Sequence, residues 1–327
     1  METRRPTNPA AEEILGLYFP VLDHGFVSLV DYMGSDEDVE RAARVSYGYG
    51  TRRTSQTRGL IRYLRRHRHT TPSEMVELKF HCCMPVFVAR QWIRHRTASV
   101  NEYSGRYSLL PLLYYRPERS ELQAQSTSNR QGRAGTPLDA LYDDAIHRWE
   151  QLRTAASSTY EWLVEQDVAR ELARIDLPLS VYTQWYWKID LHNLFHFLAL
   201  RCDPHAQYEI RAFARVMAGM LQRVAPLSFE AWFDYEYGGA VLSRAERAAL
   251  QRLVAVEDGA LAARPGARID EGTLSSLGLS AREIEELRAK LATPPLADDF
   301  ALDVAAARSP EWFAERMEAA VPRVDRG

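Results

Sequence analysis

The sequence is poor in cysteine and carries no strong net charge. Three cysteines occur among 327 residues, two of them adjacent at Cys82 and Cys83. This content gives no disulfide framework and is more typical of a reduced, cytoplasmic setting. A formal net charge of -3 argues against a general nucleic-acid binder. No apolar run approaches the ~20 residues that span a bilayer, and residues 1–11 are too polar for a signal peptide.

The chain is long enough for one large domain or two small ones, with 327 residues of which 46% are hydrophobic. We find no internal repeat. Beyond Ser243 the composition shifts towards Ala, Arg, Glu and Leu. We therefore expect a poorly ordered N-terminal arm over residues 1–20, a main domain over residues 21–243 and a C-terminal helical extension over residues 244–327.

The spacing of apolar residues predicts both strands and helices. Between Val76 and Cys82 apolar residues alternate with polar ones, which predicts a strand with one buried face. The run from Ser180 to Leu200 is apolar nearly all round, which predicts a buried helix. Capping boxes are predicted at Thr71–Glu74 and Ser280–Glu283. Further predictions are helices over residues 36–45, 59–66, 86–94, 138–166 and 204–224, a broken edge strand over 107–115 and a surface loop over 121–137.

The stretch from Arg94 to Tyr107 is the most informative part of the sequence. It combines three basic side chains with an amide, a carboxylate, a hydroxyl, a glycine and a fourth basic group. Unpaired buried charges cost several kcal/mol each, which argues against plain core. Arginine forks bind phosphate oxygens, and amide, carboxylate and hydroxyl groups can read the polar edge of a ring. The stretch therefore predicts a site for a phosphorylated ligand; the alternative is a helix end whose basic residues complement the macrodipole.

The same stretch resembles the fingerprint of the flavin-dependent thymidylate synthases. Arg94-His95-Arg96 is followed after seven residues by Ser104, and the string from Asn101 to Ser108 extends the match. The resemblance covers roughly Leu22 to Leu242. The other matching blocks are Arg41–Ser46, His69–Glu74, Pro85–Trp92, Ala173–Pro178 and Arg201–Ile210.

The resemblance implies a fold, an assembly and a reaction. The fold is α+β, a twisted, mainly antiparallel sheet with surrounding helices, assembled as a homotetramer with sites shared between subunits. The reaction is the reductive methylation of dUMP to dTMP. NADPH reduces FAD, 5,10-methylenetetrahydrofolate gives its one-carbon unit to C5 of dUMP, and tetrahydrofolate is released. Residues 21–243 would be the catalytic domain; no membrane or nucleic-acid partner is implied.

The resemblance also implies which residues hold FAD. Two of its groups lie in the fingerprint and in the block that begins at His69. A third group, Asp190, His192 and His196, occupies positions where some members carry Asn, Arg and Asn. The spacing of the two histidines could suggest a metal, but no acidic third ligand accompanies them, so no metal is expected. The predicted FAD residues are Ser46, His69, Thr71, Glu74, Arg94, His95, Arg96, Asn101, Glu102, Asp190, His192 and His196.

Substrate and catalytic residues follow from the same resemblance. Gly105 lets the backbone approach a phosphate, and Arg106 supplies the fork. Ser104 is a nucleophile candidate, although no base at triad-like spacing supports it. The predicted dUMP residues are Gln91, Glu102, Ser104, Gly105, Arg106, Arg174 and Arg201, and the catalytic candidates are Arg174, Ser104 and His69.

Other interpretations stay open at this point. Thr71 and Glu74 are also explained as a helix cap, and Arg174 and Arg201 as ordinary ion-pair partners. The basic run from Arg52 to His69 could bind RNA, but Tyr63 is its only aromatic residue besides the histidines, which makes it a poor stacking platform. The unusual residue types at Asp190, His192 and His196 would also suit a catalytically dead homologue.

Overall fold

The computed structural model describes residues 7–45, 57–127, 132–294 and 296–323. The chain divides into two compact units. The first comprises the residues up to Trp232 together with those from Phe300 onward, and the second comprises Phe233–Asp299. In the described ranges no helix is long and apolar enough to cross a membrane.

An antiparallel sheet of five strands forms the centre of the first unit. Its strands are β1 (Tyr18–Val21), β2 (Gly25–Met33), β3 (Glu77–Pro85), β4 (Ser99–Glu102) and β7 (Tyr182–Asp190). Strands β5 (Gln123–Gln125) and β6 (Arg133–Pro137) form a separate hairpin. The strand order in the large sheet is β1-β2-β3-β7-β4, and every pair is antiparallel. This agrees with the predicted α+β class.

Strand β3 confirms the strand predicted from alternation and extends it to Pro85, but the predicted single buried face is wrong, since every residue from Phe80 to Pro85 is buried. Leu78 and Phe80 are fully buried. Where β3 meets the start of β2, a side chain at Gly25 would place its Cβ 2.6 Å from the carbonyl oxygen of Cys83. Only glycine therefore allows this close approach of the two strands.

Helices surround the sheet, and those predicted from helical spacing are confirmed with small shifts at their ends. The helices are α1 (Pro9–Glu12), α2 (Asp36–Arg44), α3 (Thr57–Arg66), α4 (Thr71–Glu74), α5 (Val86–Trp92), α6 (Asp139–Glu165), α7 (Arg170–Ala173), α8 (Leu191–Arg201), α9 (Tyr208–Val224) and α10 (Pro226–Trp232). Helix α9 buries an apolar face that includes Ile210, Phe213 and Met217, which fixes it against the core.

The helix predicted over residues 180–200 is wrong for its first half. Strand β7 pairs with β3 along its full length, from Glu77↔Asp190 to Pro85↔Tyr182. Helix α8 begins only after Asp190, which is its N-cap. On one face of β7 Trp185, Trp187 and Ile189 are buried, whereas Gln184, Tyr186 and Lys188 on the other face are not. The run therefore does alternate with period 2, and the helix prediction followed its apolar and aromatic composition instead.

Two predictions between residues 107 and 137 are also wrong. The expected edge strand over 107–115 is irregular backbone with a single β-bridge, Tyr114↔Val181. The expected surface loop over 121–137 contains the β5–β6 hairpin in the residues that the structure describes. Arg133, at the start of β6, binds the buried carboxylate of Glu209, a long-range contact that local composition does not reveal.

The second unit has a small core of its own. It contains α11 (Arg244–Leu253), β8 (Val254–Glu257), β9 (Ala260–Ala263), α12 (Glu271–Ser276) and α13 (Ala281–Ala292). The core consists of Ala249, Leu274, Leu279, Ile284 and Leu287. The capping box predicted at Ser280–Glu283 is confirmed at the start of α13. The unit is mainly helical and also contains the β8–β9 hairpin.

Both chain ends of the first unit pack onto it. Ile14 is fully buried, so the expected poor order of the N-terminal arm is wrong for residues 7–20. Tyr18 and Arg308 exchange two backbone hydrogen bonds of 2.9 and 2.8 Å. Phe313, on α14 (Pro310–Ala320), lies in a core cluster with Phe26. The last part of the chain is therefore folded onto the central sheet.

Candidate active site

The Arg-His-Arg segment borders a cavity of about 360 Å³. Helix α5 begins directly after Pro85 and ends before Ile93, so Arg94, His95 and Arg96 lie in the connection to β4. Helix α8 supplies the opposite wall. The lining residues are Arg94, His95, Arg96, Thr97, Ile189, Asn193, His196, Leu200 and Arg201. The structure thus brings the predicted flavin segment together with His196 and Arg201.

The charge state of His95 suits this cavity. Arg201 Nε donates to His95 Nε2 over 3.0 Å, so that ring nitrogen is an acceptor. Burial, the Arg201 charge and His196 lower the pKa of His95 to about 4. The imidazole is therefore neutral near pH 7, and its other ring nitrogen carries the proton. The positive charge of the cavity comes from its arginines, a donor set that suits a pyrophosphate.

Asn101 and Glu102 lie on β4, the outer strand that pairs with β7. Both residues are exposed. Glu102 accepts a hydrogen bond of 2.8 Å from the hydroxyl of Thr183, a buried residue of β7. This contact fixes one carboxylate oxygen and leaves the other available to a ligand.

The Ser104-Gly105-Arg106 segment forms a tight turn. The backbone N–H groups of Tyr107 and Ser108 both donate to Ser104 O over 3.1 Å. A Cβ at Gly105 would lie 3.0 Å from Cδ of Arg174, so the turn and the Arg174 stem are in van der Waals contact. The structure therefore brings together the predicted phosphate turn and Arg174, another of the predicted dUMP residues.

Arg106 and Ser104 make different interactions: a side-chain ion pair and a backbone hydrogen bond. Arg106 Nε lies 3.0 Å from Glu171 Oε2, and both side chains are more than half exposed. The hydroxyl oxygen of Ser104 accepts a hydrogen bond of 3.3 Å from the backbone N–H of Arg106. That bond belongs to the turn and does not raise the nucleophilicity of the hydroxyl.

Gln91, on α5, is joined to residues that the sequence analysis missed. Its amide nitrogen donates to Gln207, whose own amide nitrogen donates to Glu209 over 2.8 Å. Glu209 is only 2% exposed and also binds Arg133 on β6. Two signals were available: both Gln207 and Glu209 lie in the matching block Arg201–Ile210, and a carboxylate on the apolar face of α9 requires partners.

The second predicted flavin element borders a different cavity, of about 870 Å³. Its walls come from α2, α3 and α4, and they include His69, Thr71, Tyr63 and Arg41. The rings of His69 and Tyr63 stack with centroids 6.0 Å apart and an interplanar angle of 16°. The cavity therefore offers an aromatic pair and a guanidinium to a ligand.

The capping box predicted at Thr71–Glu74 is wrong. Thr71 is the first residue of α4, Thr70 is its N-cap, and no side chain completes the cap. Thr71 and Glu74 are exposed, which leaves both free of the structural role that spacing suggested. The predicted FAD residue Ser46 lies outside the described residues.

The three residues of unusual type lie at the start and along one side of α8. Asp190 caps the helix, because Oδ1 accepts from Asn193 N over 2.9 Å and Oδ2 accepts from Asn193 Nδ2 over 2.7 Å. Nδ1 of His192 is buried and has no hydrogen-bond partner among the residues that the structure describes. His196 is exposed and lies 6.0 Å from His95 between ring centroids. Only His196 among the three borders the cavity of the Arg-His-Arg segment.

A family model and curated relatives similar to this chain are all described as thymidylate synthases or proteins that complement them. A family model described as "Thymidylate synthase complementing protein" matches residues 28–227. The chain is 52% identical over 296 residues to a flavin-dependent thymidylate synthase of Gluconobacter oxydans (strain 621H), which covers 88% of this chain and 92% of that protein. It is 48% identical over 294 residues to a protein of the same description from Ruegeria pomeroyi, with the same coverage of 88% and 92%.

The chain is also similar to solved structures of a nucleotide methylase. The chain is similar to the UMP/dUMP methylase PolB from Streptomyces cacaoi bound with 5-Br UMP, with a TM-score of 0.61 and 32% identity. That alignment covers 67% of this chain and 98% of the methylase. A second structure of the same methylase, bound with 5-Br dUMP, gives the same TM-score and identity over 66% of this chain.

Proposed function

The chain belongs to the flavin-dependent thymidylate synthase family, and we propose that it converts dUMP to dTMP with 5,10-methylenetetrahydrofolate and NADPH. The membership confirms the resemblance found in the fingerprint. The observation that carries the proposal is the cavity in which Arg94, His95 and Arg96 meet Arg201. In the balanced reaction the folate gives a methylene group to C5 of dUMP, and NADPH supplies the hydride equivalent that completes the methyl group.

FAD fits the residues that we propose to hold it. The Arg94–Arg96 segment offers guanidinium forks and a neutral imidazole, a donor set that suits a pyrophosphate, and Arg201, predicted to contact dUMP, lines the same cavity. The second cavity adds the stacked rings of His69 and Tyr63. When bound, the flavin supplies hydride transfer between NADPH and the nucleotide. The chain's own residues bind and orient it; we propose no step in which they form covalent bonds to it.

The turn at Ser104–Arg106 is the proposed dUMP phosphate site. A buried glycine, a charged fork and backbone N–H groups are the elements that such a site needs. Arg174 packs on this turn, which supports a position near the pyrimidine. There its charge would stabilise negative charge as C5 becomes nucleophilic. The bound 5-Br dUMP in the similar methylase supports this class of substrate.

We propose that the active enzyme is a homotetramer with sites completed between subunits. The proposed flavin residues border two different cavities of one chain. Near Arg174, Leu172, Ile175 and Leu179 are 56%, 69% and 64% exposed. Apolar side chains grouped at a surface are typical of a protein interface. Light scattering coupled to size-exclusion chromatography would measure the mass. A cytoplasmic location, expected from the cysteine content, also stays a proposal.

The function is tested with the purified protein in two steps. An absorbance spectrum shows whether flavin bands accompany it. Release of tritium from dUMP labelled at C5 then measures methylation, with the folate and NADPH each left out in turn as controls. We expect flavin bands and tritium release that needs both. A protein without flavin bands would favour the nucleic-acid interpretation, and flavin without tritium release would favour a dead homologue.

A further inference from the structure

A chain of hydrogen bonds links Gln91 to a buried carboxylate. Gln91 Nε2 donates to Gln207 Oε1, and Gln207 Nε2 donates to Glu209 Oε2 over 2.8 Å. Gln207 is the residue before α9, and Glu209 lies in its first turn. The three residues therefore connect the end of α5 to the core, and we call them the amide relay.

Every partner of Glu209 in the described contacts donates to it. Tyr115 Oη donates to Oε1 over 3.1 Å, and Arg133 Nη2 donates to the same oxygen. Burial and the Glu209 carboxylate raise the pKa of Tyr115, so its hydroxyl keeps its proton. A guanidinium has no acceptor. A carboxylate in these surroundings only accepts, and the Gln207 side chain must turn its NH₂ group towards it.

The orientation of the Gln207 amide determines the orientation of the Gln91 amide. A glutamine amide has one donor end and one acceptor end. With its NH₂ group on Glu209, Gln207 presents its oxygen to Gln91. Gln91 must then use its own NH₂ group for that bond and present its oxygen away from the relay. The network, and not the shape of the amide, decides this orientation.

We propose that Glu209 is a positioning residue that makes Gln91 a hydrogen-bond acceptor for the nucleotide. The inference rests on the proposed function, in which Gln91 contacts dUMP. The group read by Gln91 is a donor of the nucleotide, either the ribose 3′-hydroxyl or the N3–H of uracil. Glu209 thus selects for a donor that it does not touch.

The substitution Glu209→Gln tests the direction of the relay. The new amide keeps its oxygen on Arg133 and Tyr115 and gives its NH₂ group to Gln207. Gln207 then turns, and Gln91 presents a donor to the donor of the nucleotide. We expect the Kd of dUMP, measured by calorimetry on the flavin-loaded protein, to rise about ten- to a hundredfold.

A second substitution, added to Glu209→Gln, restores the original direction of the hydrogen bonds in the amide relay. With Gln207→Glu added to Glu209→Gln, the carboxylate at 207 accepts from both neighbouring amides, and Gln91 again presents its oxygen. The double variant has the same net charge as the natural chain, and we expect its Kd to return to within about threefold of the natural value. A residue that served only the stability of the core would not be rescued by this exchange.

A matched control comes from the other partner of Arg133. Glu121 also binds Arg133 but does not contact the relay. Glu121→Gln removes a carboxylate from the same guanidinium, and we expect an unchanged Kd for dUMP. Should Glu209→Gln fail to fold by circular dichroism, Gln207→Leu cuts the relay while leaving the Glu209–Arg133 pair intact.

Two nucleotide analogues identify the group that Gln91 reads. 2′,3′-Dideoxyuridine 5′-phosphate lacks the 3′-hydroxyl, and N3-methyl-dUMP lacks the N3–H. One analogue should bind the natural chain more weakly than dUMP, and this difference should shrink in Glu209→Gln and in Gln207→Leu. An unchanged difference in the variants, or a double variant that is not rescued, overturns the relay. A natural chain that binds no dUMP overturns the proposed function itself.

Discussion

The exposed ion pair of Arg106 allows its role in binding dUMP to be tested separately from any role in stability. Its partner Glu171 lies 3.0 Å away at the surface, and such pairs contribute at most about 1 kcal/mol to stability. Arg106→Ala should therefore leave the fold and the flavin content unchanged. Losing a charged fork from the proposed phosphate site should weaken dUMP binding by about 2–5 kcal/mol, as measured by calorimetry. An unchanged dUMP affinity would contradict this role.

The control for Arg106 is its own partner. Glu171→Gln removes the competing carboxylate but keeps the shape of the side chain. We expect dUMP to bind as tightly as before, or more tightly. A large loss of affinity in this control would show that Glu171 itself contacts the nucleotide.

Ser104 is predicted to be dispensable as a nucleophile. Its hydroxyl oxygen accepts from a backbone N–H within the turn, and an unassisted serine hydroxyl is a weak nucleophile. Ser104→Ala should retain detectable tritium release from labelled dUMP. The nucleophile interpretation would return if turnover were abolished while dUMP and flavin still bound.

His95 makes a prediction about pH. Burial, Arg201 and His196 lower its pKa from 6.5 to about 4 in the folded chain. The unfolded chain therefore binds more protons between these values, and folding loses stability as the pH falls from about 6.5 to about 4. His95→Gln removes this titration, so its Tm should fall less over the same pH range in a thermal melt. Parallel declines for both proteins would exclude His95 as the source.

At the scale of elements, the sequence was most informative where one period dominates. The sequence of β3 alternates apolar and polar residues up to Cys82, and α9 has one apolar face, so both elements were predicted; the second half of β3, from Phe80 to Pro85, is nevertheless buried at every position. Strand β7 was not, although Trp185, Trp187 and Ile189 alternate with less buried residues, because its many aromatic residues were interpreted as part of a helix that is apolar all round. The β5–β6 hairpin was missed because its composition is typical of a loop and because one partner of Arg133 is the buried Glu209, 76 residues away. The resemblance predicted the flavin residues as a set, but their division between two cavities depends on how α8 packs beside the Arg94–Arg96 segment and on how α2, α3 and α4 pack together.

Helix α8 provides a prediction that separates two roles of Asp190. The side chain caps this helix through Asn193, and α8 carries His196 and Arg201 to the cavity. Asp190→Ala should cost about 1 kcal/mol, seen as a Tm lower by roughly 2–4 °C. Asp190→Asn retains a capping side chain and should keep both Tm and flavin content. A selective loss of flavin in Asp190→Asn would instead indicate direct contact.

At the scale of the whole molecule, the C-terminal region has two different parts. Phe233–Asp299 forms a unit with its own core, whereas residues from Phe300 onward belong to the first unit. Phe300 is 2% exposed, and its carbonyl oxygen would lie 2.6 Å from a Cβ at Gly219. Phe313 packs against the central sheet beside Phe26. Truncation near Ser243, where the composition shifts, would remove both parts together.

Two deletions distinguish these parts. A chain that ends at Asp299 loses Phe300 and Phe313, and removing a buried Phe side chain costs about 3–5 kcal/mol. Two such losses approach the whole stability of a typical domain, about 5–15 kcal/mol, so this chain should aggregate. Replacing Phe233–Asp299 by about six Gly and Ser residues retains them, since the rings of Trp232 and Phe300 lie 6.1 Å apart. We expect that chain to purify with flavin and to elute at the mass of the assembly less the deleted segments. If it aggregates while the chain ending at Asp299 stays folded, the second unit, and not the C-terminal segment, is what the first unit requires.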